Sequence, residues 1–440
     1  MNNSFTVPKL GKCCVKSPIH LGFEKGDGIY NYISNDERVL YEKSLESFLN
    51  HQKNGTTPVS FEKAGPREMI FFEPAKTKAA IVTCGGLCPG LNNVIRGIVM
   101  ELYYRYKVSK IIGFQYGFEG LIPKYNHPYM ELNPETVDDI HLQGGSVLGS
   151  SRGDQDVSEM VSTLERQNIN ILFCIGGDGT LRGAWEIFKE VKKRNLRISI
   201  AGIPKTIDND ICFIEKSFGF ETAFSKAHDI IGDAHNEAKG YYNGIVIIKL
   251  MGRDSGFIAA HASLSMQEVN FILIPEMGEF ELEGEHGFLN VLKKRMEAKH
   301  HAMIVVAEGA GQHFFKNEQA LKDISGNVKL NDIGIFLKDK IAHYFKSVNI
   351  PVSLKYIDPS YIIRSAVAVA NDSKYCGQLA QNAVHGAMAG RTGFVAGIWG
   401  GQFTYLPIEA TIGQRKKIDL ESELWWNVME ATGQPLAFKN

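Results

Sequence analysis

The sequence predicts an α/β protein with mainly parallel, doubly wound sheets, and two observations carry that prediction. From Lys78 onward, apolar runs of strand length alternate with longer segments of mixed apolar and charged residues. That order lays helices on the faces of a parallel sheet. Most of the runs end in glycines or charges: 169–175 stops at Gly176-Gly177-Asp178-Gly179, and 79–84 stops at Gly85-Gly86. Open parallel sheets bind ligands beyond the carboxyl ends of their strands, so turns gathered there are expected to share one mouth.

Taken in order, residues 1–76 are polar and irregular and read as an N-terminal extension packed on the body. A helix is expected over 36–52 and a strand over 61–72. A strand at 79–84, a glycine turn and a helix at 93–106 follow, then a strand at 110–113, a glycine-rich stretch at 144–153, strand 169–175, helix 181–193 and strand 198–203. The second half repeats the alternation, with strands expected at 244–250, 271–274, 302–307, 352–356 and 394–399. Helices are expected at 221–238, 257–265, 287–299, 331–345 and 373–389. Two similar lobes facing each other across a cleft account for the pattern, one from 77–215 with 373–410 and the other from 216–372 with 411–440.

Composition narrows the class. A chain of 440 residues is long enough for two or three domains. A formal net charge of -1 gives no argument for nucleic acid or an anionic membrane as partner. No apolar run reaches the ~18 residues that span a bilayer. The opening MNNSFTVPKLGKCC has no signal-peptide core, so a cytoplasmic location is expected. Seven scattered cysteines suit reduced thiols rather than a disulfide framework. Cys84 and Cys88 lack a second pair that would complete a zinc site.

The glycine turns carry the first chemistry. They let backbone N–H groups approach phosphate oxygens and bring a polyphosphate to a helix N-terminus. An aspartate in such a turn repels phosphate unless a cation stands between them. Asp178 is therefore a candidate Mg²⁺ holder, and a tight turn with a solvated aspartate is the competing reading. Past the strand at 198–203 stands Pro204-Lys205-Thr206-Ile207-Asp208-Asn209-Asp210. Two acids and a lysine there suit chemistry better than packing, and a helix capped by Asp210 is the alternative. Arg152, Lys205 and Arg253 are candidate phosphate cations. Asp208, ionised at pH 7 with an ordinary pKa, is a candidate base. Glu308 suits sugar hydroxyls and Arg364 a second, non-reacting phosphate. Taken singly, Arg152, Glu308 and Arg364 also read as solvated surface charges. Together these groups form the set that phosphoryl transfer to a hydroxyl requires.

The ordered motifs GGLCPGLNNVIRG, GGSVLGSSRG, GGDGT, PKTIDND and MGRDSGFIAA, spread over most of the chain, resemble those of the 6-phosphofructokinase family. The extension, the Gly65-Pro66-Arg67 stretch and Lys205 are most similar to its long-chain group, which holds trypanosomatid-type ATP enzymes and pyrophosphate-dependent ones. The resemblance implies two Rossmann-like lobes and transfer of the γ-phosphate of MgATP to the C1 hydroxyl of fructose 6-phosphate. It implies donor contacts at Gly85, Gly86, Phe118, Arg152, Gly176, Gly177, Asp178, Gly179 and Thr180, with Asp178 and Asp210 toward Mg²⁺. Asp208 matches the base, with Thr206, Lys205 and Arg253 beside the reacting phosphate. Asp210, Met251, Gly252, Arg253, Glu308, Tyr361 and Arg364, together with Thr206 and Asp208, match the sugar-phosphate side.

Donor choice turns on two positions. Glycine at the position of Gly179 goes with ATP in this family and aspartate with pyrophosphate, whereas lysine at the position of Lys205 goes with pyrophosphate users and with the trypanosomatid-type ATP enzymes. The mixed pair here implies ATP, with a pyrophosphate-dependent phosphotransferase as alternative and an inactive nucleotide-binding regulatory paralogue as a distant one. Where short bacterial members carry an inter-subunit arginine, this chain has Gly244. A homo-oligomer, expected to be a tetramer, is implied by the resemblance alone.

Overall fold

The computed structural model describes residues 5–315 and 329–440. The first four residues of the expected extension lie outside the described residues. The chain forms two compact units. One comprises Met1–Thr206, Ile211–Gly219 and Ala366–Gln414, and the other Ile207–Asp210, Phe220–Ser365 and Arg415–Asn440.

The first unit is organised by a nine-stranded sheet. Its strands lie in the order Arg38–Leu40, Ser60–Lys63, Gln402–Pro407, Phe394–Trp399, Ser199–Pro204, Ile171–Gly176, Lys78–Thr83, Lys110–Phe114 and Tyr129–Glu131. The five strands from Phe394–Trp399 to Lys110–Phe114 run parallel, and the flanking strands are antiparallel. Ile171–Gly176 and Ser199–Pro204 are buried at every position, as strands covered on both faces must be. The alternation of apolar runs and helices therefore has the architecture expected from it.

Two local expectations need correction. The helix expected over 36–52 is a strand at Arg38–Leu40 followed by a helix at Leu45–Lys53. The Ser44 side chain accepts the Ser47 N–H and fixes the helix start, and Arg38–Leu40 is taken by pairing with Ser60–Lys63. The strand expected over 61–72 breaks into Ser60–Lys63 and Met69–Ile70 around Gly65-Pro66. Gly65 has φ +131°, outside the range of a regular strand, and proline cannot donate to a ladder. The helix after the Gly85 turn changes at its end, with Leu91–Met100 α-helical and Glu101–Arg105 wound as a π-turn.

The extension is bound into the sheet by charge as well as by strand pairing. Arg391, 1% exposed, donates to Glu62 Oε1 from Nε (2.9 Å) and Nη2 (2.6 Å), and Arg67 Nη2 donates to the same oxygen at 3.2 Å.

The second unit contains four parallel strands in the order Phe271–Leu273, His301–Ala307, Gly244–Leu250 and Ser353–Ile357. Register decides what meets at the carboxyl end. Leu250 pairs with Ala307, so Met251-Gly252-Arg253 leaves the sheet beside Glu308. Ile248 pairs with Ile357, which brings Asp358 and the short helix Ser360–Arg364 to the same end. No helix among the described residues is long and apolar enough to cross a membrane.

Removing the shared acid tests the tie between extension and sheet. Glu62→Leu leaves two guanidinium groups buried without their carboxylate and is expected to destabilise the first unit by about 3–5 kcal/mol. Thermal melting measures it, and a melt like that of the parent would contradict the assignment.

Candidate active site

In the first unit the turns beyond the parallel strands are stitched to one another. Thr83 pairs with Ile175, and Gly176 with Pro204, so three successive turns emerge level. The Gly85 N–H donates to the Ser151 carbonyl (3.0 Å), and the Ser150 hydroxyl donates back to the Gly85 carbonyl (2.5 Å). Lys205 is buried, and its ammonium donates to the Gly86 carbonyl. A Cβ on Gly85 would lie 3.4 Å from Lys205 Nζ, and one on Gly177 would lie 3.2 Å from the Lys205 carbonyl. The glycines thus give a cation and two backbone turns room to approach closely. Gly117, at φ +62°, closes the group, because a Cβ there would come within 2.9 Å of Cys84, Ser151 and Thr83. Burial pushes the Cys84 thiol up to about 12, so it stays a neutral packing group.

The helix Asp178–Lys193 begins at this turn cluster with Gly177 at its cap and no side-chain capping bond. Its first turn presents backbone N–H groups of the kind that bind anions. Asp178 is buried, and its Oδ2 accepts from Arg182 Nη2 at 2.8 Å. Thr180 is buried against Gly176, and Phe118 is buried against Gly183 of the same helix. Gly179 is exposed, and a Cβ built on it meets nothing within 4 Å. Arg152 is also exposed.

The second unit gathers the acids. Residues 207–210 form no helix, and the next helix begins only at Phe220. Asp210 therefore caps nothing. It is buried instead, and Arg415 Nη1 donates to its Oδ2. The Ser255 hydroxyl donates to the Asp208 carbonyl at 3.0 Å. Burial, reinforced by Asp210, Glu308 and Asp254, pushes the Asp208 carboxyl well above the usual range, while Arg415 opposes the rise. This corrects the expectation of an ordinary pKa: sequence spacing reveals neither desolvation nor the other two acids. Burial also raises Glu308, against the pull of Arg253, Lys249 and Arg364.

Gly252 stands at φ +134°, and a Cβ on Gly309 would fall 1.9 Å from the Arg253 carbonyl, so both glycines shape the Arg253 loop. Lys249 donates to Asp332 (2.7 Å) and lies 2.9 Å from Asp358. Although burial works against its charge, hydrogen bonds to the two acids hold its pKa above the ordinary lysine value. Arg364 ends the short helix Ser360–Arg364, on which Tyr361 is 83% exposed.

Within the first unit the structure brings together Gly85, Gly86, Gly176, Gly177 and Lys205, and carries Asp178, Gly179, Thr180 and Phe118 on or against the adjoining helix. Within the second it gathers Asp208, Asp210, Gly252, Arg253 and Glu308, with Arg364 in the field of Glu308. Arg152 in the first unit and Tyr361 in the second are both exposed. Sequence reasoning missed Arg415 and Lys249. The first lies 205 positions beyond Asp210, in a run of basic residues that reads as solvated surface. Lys249 carried the weak signal of a charge inside an apolar strand.

With this geometry in hand, three comparisons bear on the chain. Residues 78–387 match the family described as Phosphofructokinase. The "ATP-dependent 6-phosphofructokinase" of Borreliella burgdorferi is 48% identical over 100% of this chain and 98% of its own length, and the protein of the same name from Amycolatopsis methanolica is 44% identical over 98% and 95%. The crystal structure of a pyrophosphate-dependent phosphofructokinase from Marinobacter aquaeolei shares the fold with a TM-score of 0.66, at 19% identity over 83% of this chain and 92% of that one. The order of motifs, the parallel sheets and the near-full-length identity agree: this chain belongs to the phosphofructokinase family.

Proposed function

We propose that the protein is an ATP-dependent 6-phosphofructokinase, which transfers the γ-phosphate of ATP to the C1 hydroxyl of fructose 6-phosphate and yields fructose 1,6-bisphosphate and ADP. The observation that carries this reading is 48% identity over the whole chain to a relative of that name.

The first unit holds the donor. Backbone groups at Gly85, Gly86, Gly176 and Gly177, the first turn at Thr180 and the side chain of Arg152 bind and orient the polyphosphate, and Phe118 supports that helix by packing on Gly183. Asp178 offers one hard carboxylate at a helix start, and such a group suits Mg²⁺, which is commonly held by one or two carboxylates together with substrate phosphates. When bound there, the ion would neutralise donor phosphate charge. Lys205, beside Thr206, supplies a fixed cation at the glycine turn.

The second unit holds the acceptor. Arg364 and Tyr361 take the 6-phosphate, Glu308 accepts hydrogen bonds from sugar hydroxyls, and Met251, Gly252 and Arg253 align the sugar. As the C1 oxygen forms its bond to the γ-phosphorus, the bond from that phosphorus to the bridging oxygen breaks, its electron pair leaves with ADP, and Asp208 takes the hydroxyl proton. A carboxyl whose pKa is raised toward the working pH is better matched to that proton than an ordinary one. Arg253 and Lys205 stabilise charge spread over the equatorial oxygens. Asp210 serves as the neighbour that fixes the base or shares the metal. A cytoplasmic homo-oligomer completes the reading.

Gly179 supports ATP over pyrophosphate. Apart from its chain neighbours and its own helix backbone, no atom of the described residues lies within 4 Å of its absent Cβ, so packing does not call for glycine there, whereas room for an α-phosphate does. Lys205, which donates to the Gly86 carbonyl, keeps pyrophosphate as a second reading, because a compact cation serves either donor.

Two variants test these roles. Asp208→Asn is expected to keep sugar binding and to lose about 100- to 10,000-fold in kcat; steady-state kinetics measure it, and parent-like turnover would remove Asp208 as the base. Gly179→Asp places a carboxylate against the donor, at a cost of several kcal/mol, and is expected to lower kcat/KM for ATP by at least about 100-fold. Undiminished use of ATP would contradict the steric account.

A further inference from the structure

The segment that carries the base has no regular structure of its own. Residues 207–210 lie between the strand Ser199–Pro204 and the helix Phe220–Lys239. Its geometry is set by what is bonded to it, and within the second unit two places contribute such bonds. The Ser255 hydroxyl, from the Arg253 loop, donates to the Asp208 carbonyl at 3.0 Å. Further bonds come from residues 415–416, far along the chain. Arg415 Nη1 donates to the buried Asp210 carboxylate, and the Lys416 N–H donates to the Asp210 carbonyl at 2.8 Å.

The same short stretch also grips the Arg253 loop. The Ile418 N–H donates to Glu276 Oε1 at 2.9 Å, and the Gly256 N–H donates to both Glu276 oxygens at 3.0 Å. Gly256 caps the helix Phe257–Met266, which directly follows Arg253-Asp254-Ser255. Lys416 lies over the Phe257 ring at 5.1 Å from its centre. Residues 415–418 therefore tie the base segment and the sugar-phosphate loop to one strap. Arg415–Asp210 is an ion pair between side chains, with the Asp210 side chain 4% exposed and that of Arg415 35%.

We infer that Arg415 is a positioning residue for phosphoryl transfer: its guanidinium holds the buried Asp210 carboxylate and so sets the geometry in which Asp208 meets the acceptor hydroxyl. The inference rests on the functional reading above. Without the guanidinium, the buried Asp210 carboxylate beside Asp208 loses this ion pair, and the segment relaxes away from the productive geometry. Displacement of a catalytic group by about 1 Å costs roughly 100-fold in rate, and the groups assigned to the 6-phosphate and sugar hydroxyls are untouched.

The test compares the parent enzyme with Arg415→Met, Arg415→Lys and Arg415→Ala, assayed for fructose 1,6-bisphosphate formation from ATP and fructose 6-phosphate, with thermal melting measured in parallel. Arg415→Met is expected to lower kcat about 100-fold, while KM for fructose 6-phosphate stays within about threefold of the parent. Arg415→Lys should recover part of the loss, because charge returns without the planar fork. Arg415→Ala should recover turnover when guanidinium ion is added below denaturing concentration, and not when sodium is added at equal ionic strength. Parent-like kcat in Arg415→Met would overturn the inference. So would a deficit in all three variants that follows the loss of melting temperature and does not respond to guanidinium. If Arg415→Met fails to fold, the lysine variant and the guanidinium rescue decide the question in the same way. A parent enzyme that forms no product from either donor would instead overturn the functional reading, and this role with it.

Discussion

Too many acids in too little water is the condition around which the second unit is arranged. Asp208 feels Asp210, Glu308 and Asp254 as well as its own burial, and every one of those influences works against its charge. Such a cluster persists only where cations are fixed nearby, because an uncompensated buried charge is far costlier than a paired one. Arg415 answers Asp210, and Arg253, Lys249 and Arg364 temper Glu308. In the proposed reaction one of these cations, Arg253, also stabilises the transferring phosphoryl group.

The first unit solves a different problem with backbone. A polyphosphate needs many hydrogen-bond donors and little steric bulk, and both come from turns that leave parallel strands at the same level. Strand register makes Gly85, Gly176 and Lys205 neighbours. Absent side chains at Gly85, Gly117 and Gly177 then let the turns close on one another. Gly179 differs from these three, because nothing in the protein crowds it.

The parallel core was legible in the sequence because fully buried strands must be apolar throughout: the run at 169–175 and the strand Ile171–Gly176 are nearly the same residues, and Gly244–Leu250 has the bounds expected of it. The edges were not. Arg38–Leu40 and Tyr129–Glu131 are three residues each and half exposed, too short for periodicity to register, and pairing with distant strands overrode the helical pattern near residue 40. The candidate site residues on the motifs could be named from the sequence because most of those motifs follow a strand exit. Arg415 was not, since its role exists only when residues 205 positions apart are brought together. The raised pKa of Asp208 was invisible for the same reason, as two of the acids that produce it, Asp254 and Glu308, come from other loops.

The most direct test of the account is a donor assay on the purified protein, with fructose 6-phosphate and Mg²⁺ supplied together with either ATP or pyrophosphate and fructose 1,6-bisphosphate followed over time. The account expects turnover with ATP and little or none with pyrophosphate, which would place the decision at Gly179. Turnover with pyrophosphate alone would contradict it and would mean that the cation at Lys205, rather than the space at Gly179, selects the donor.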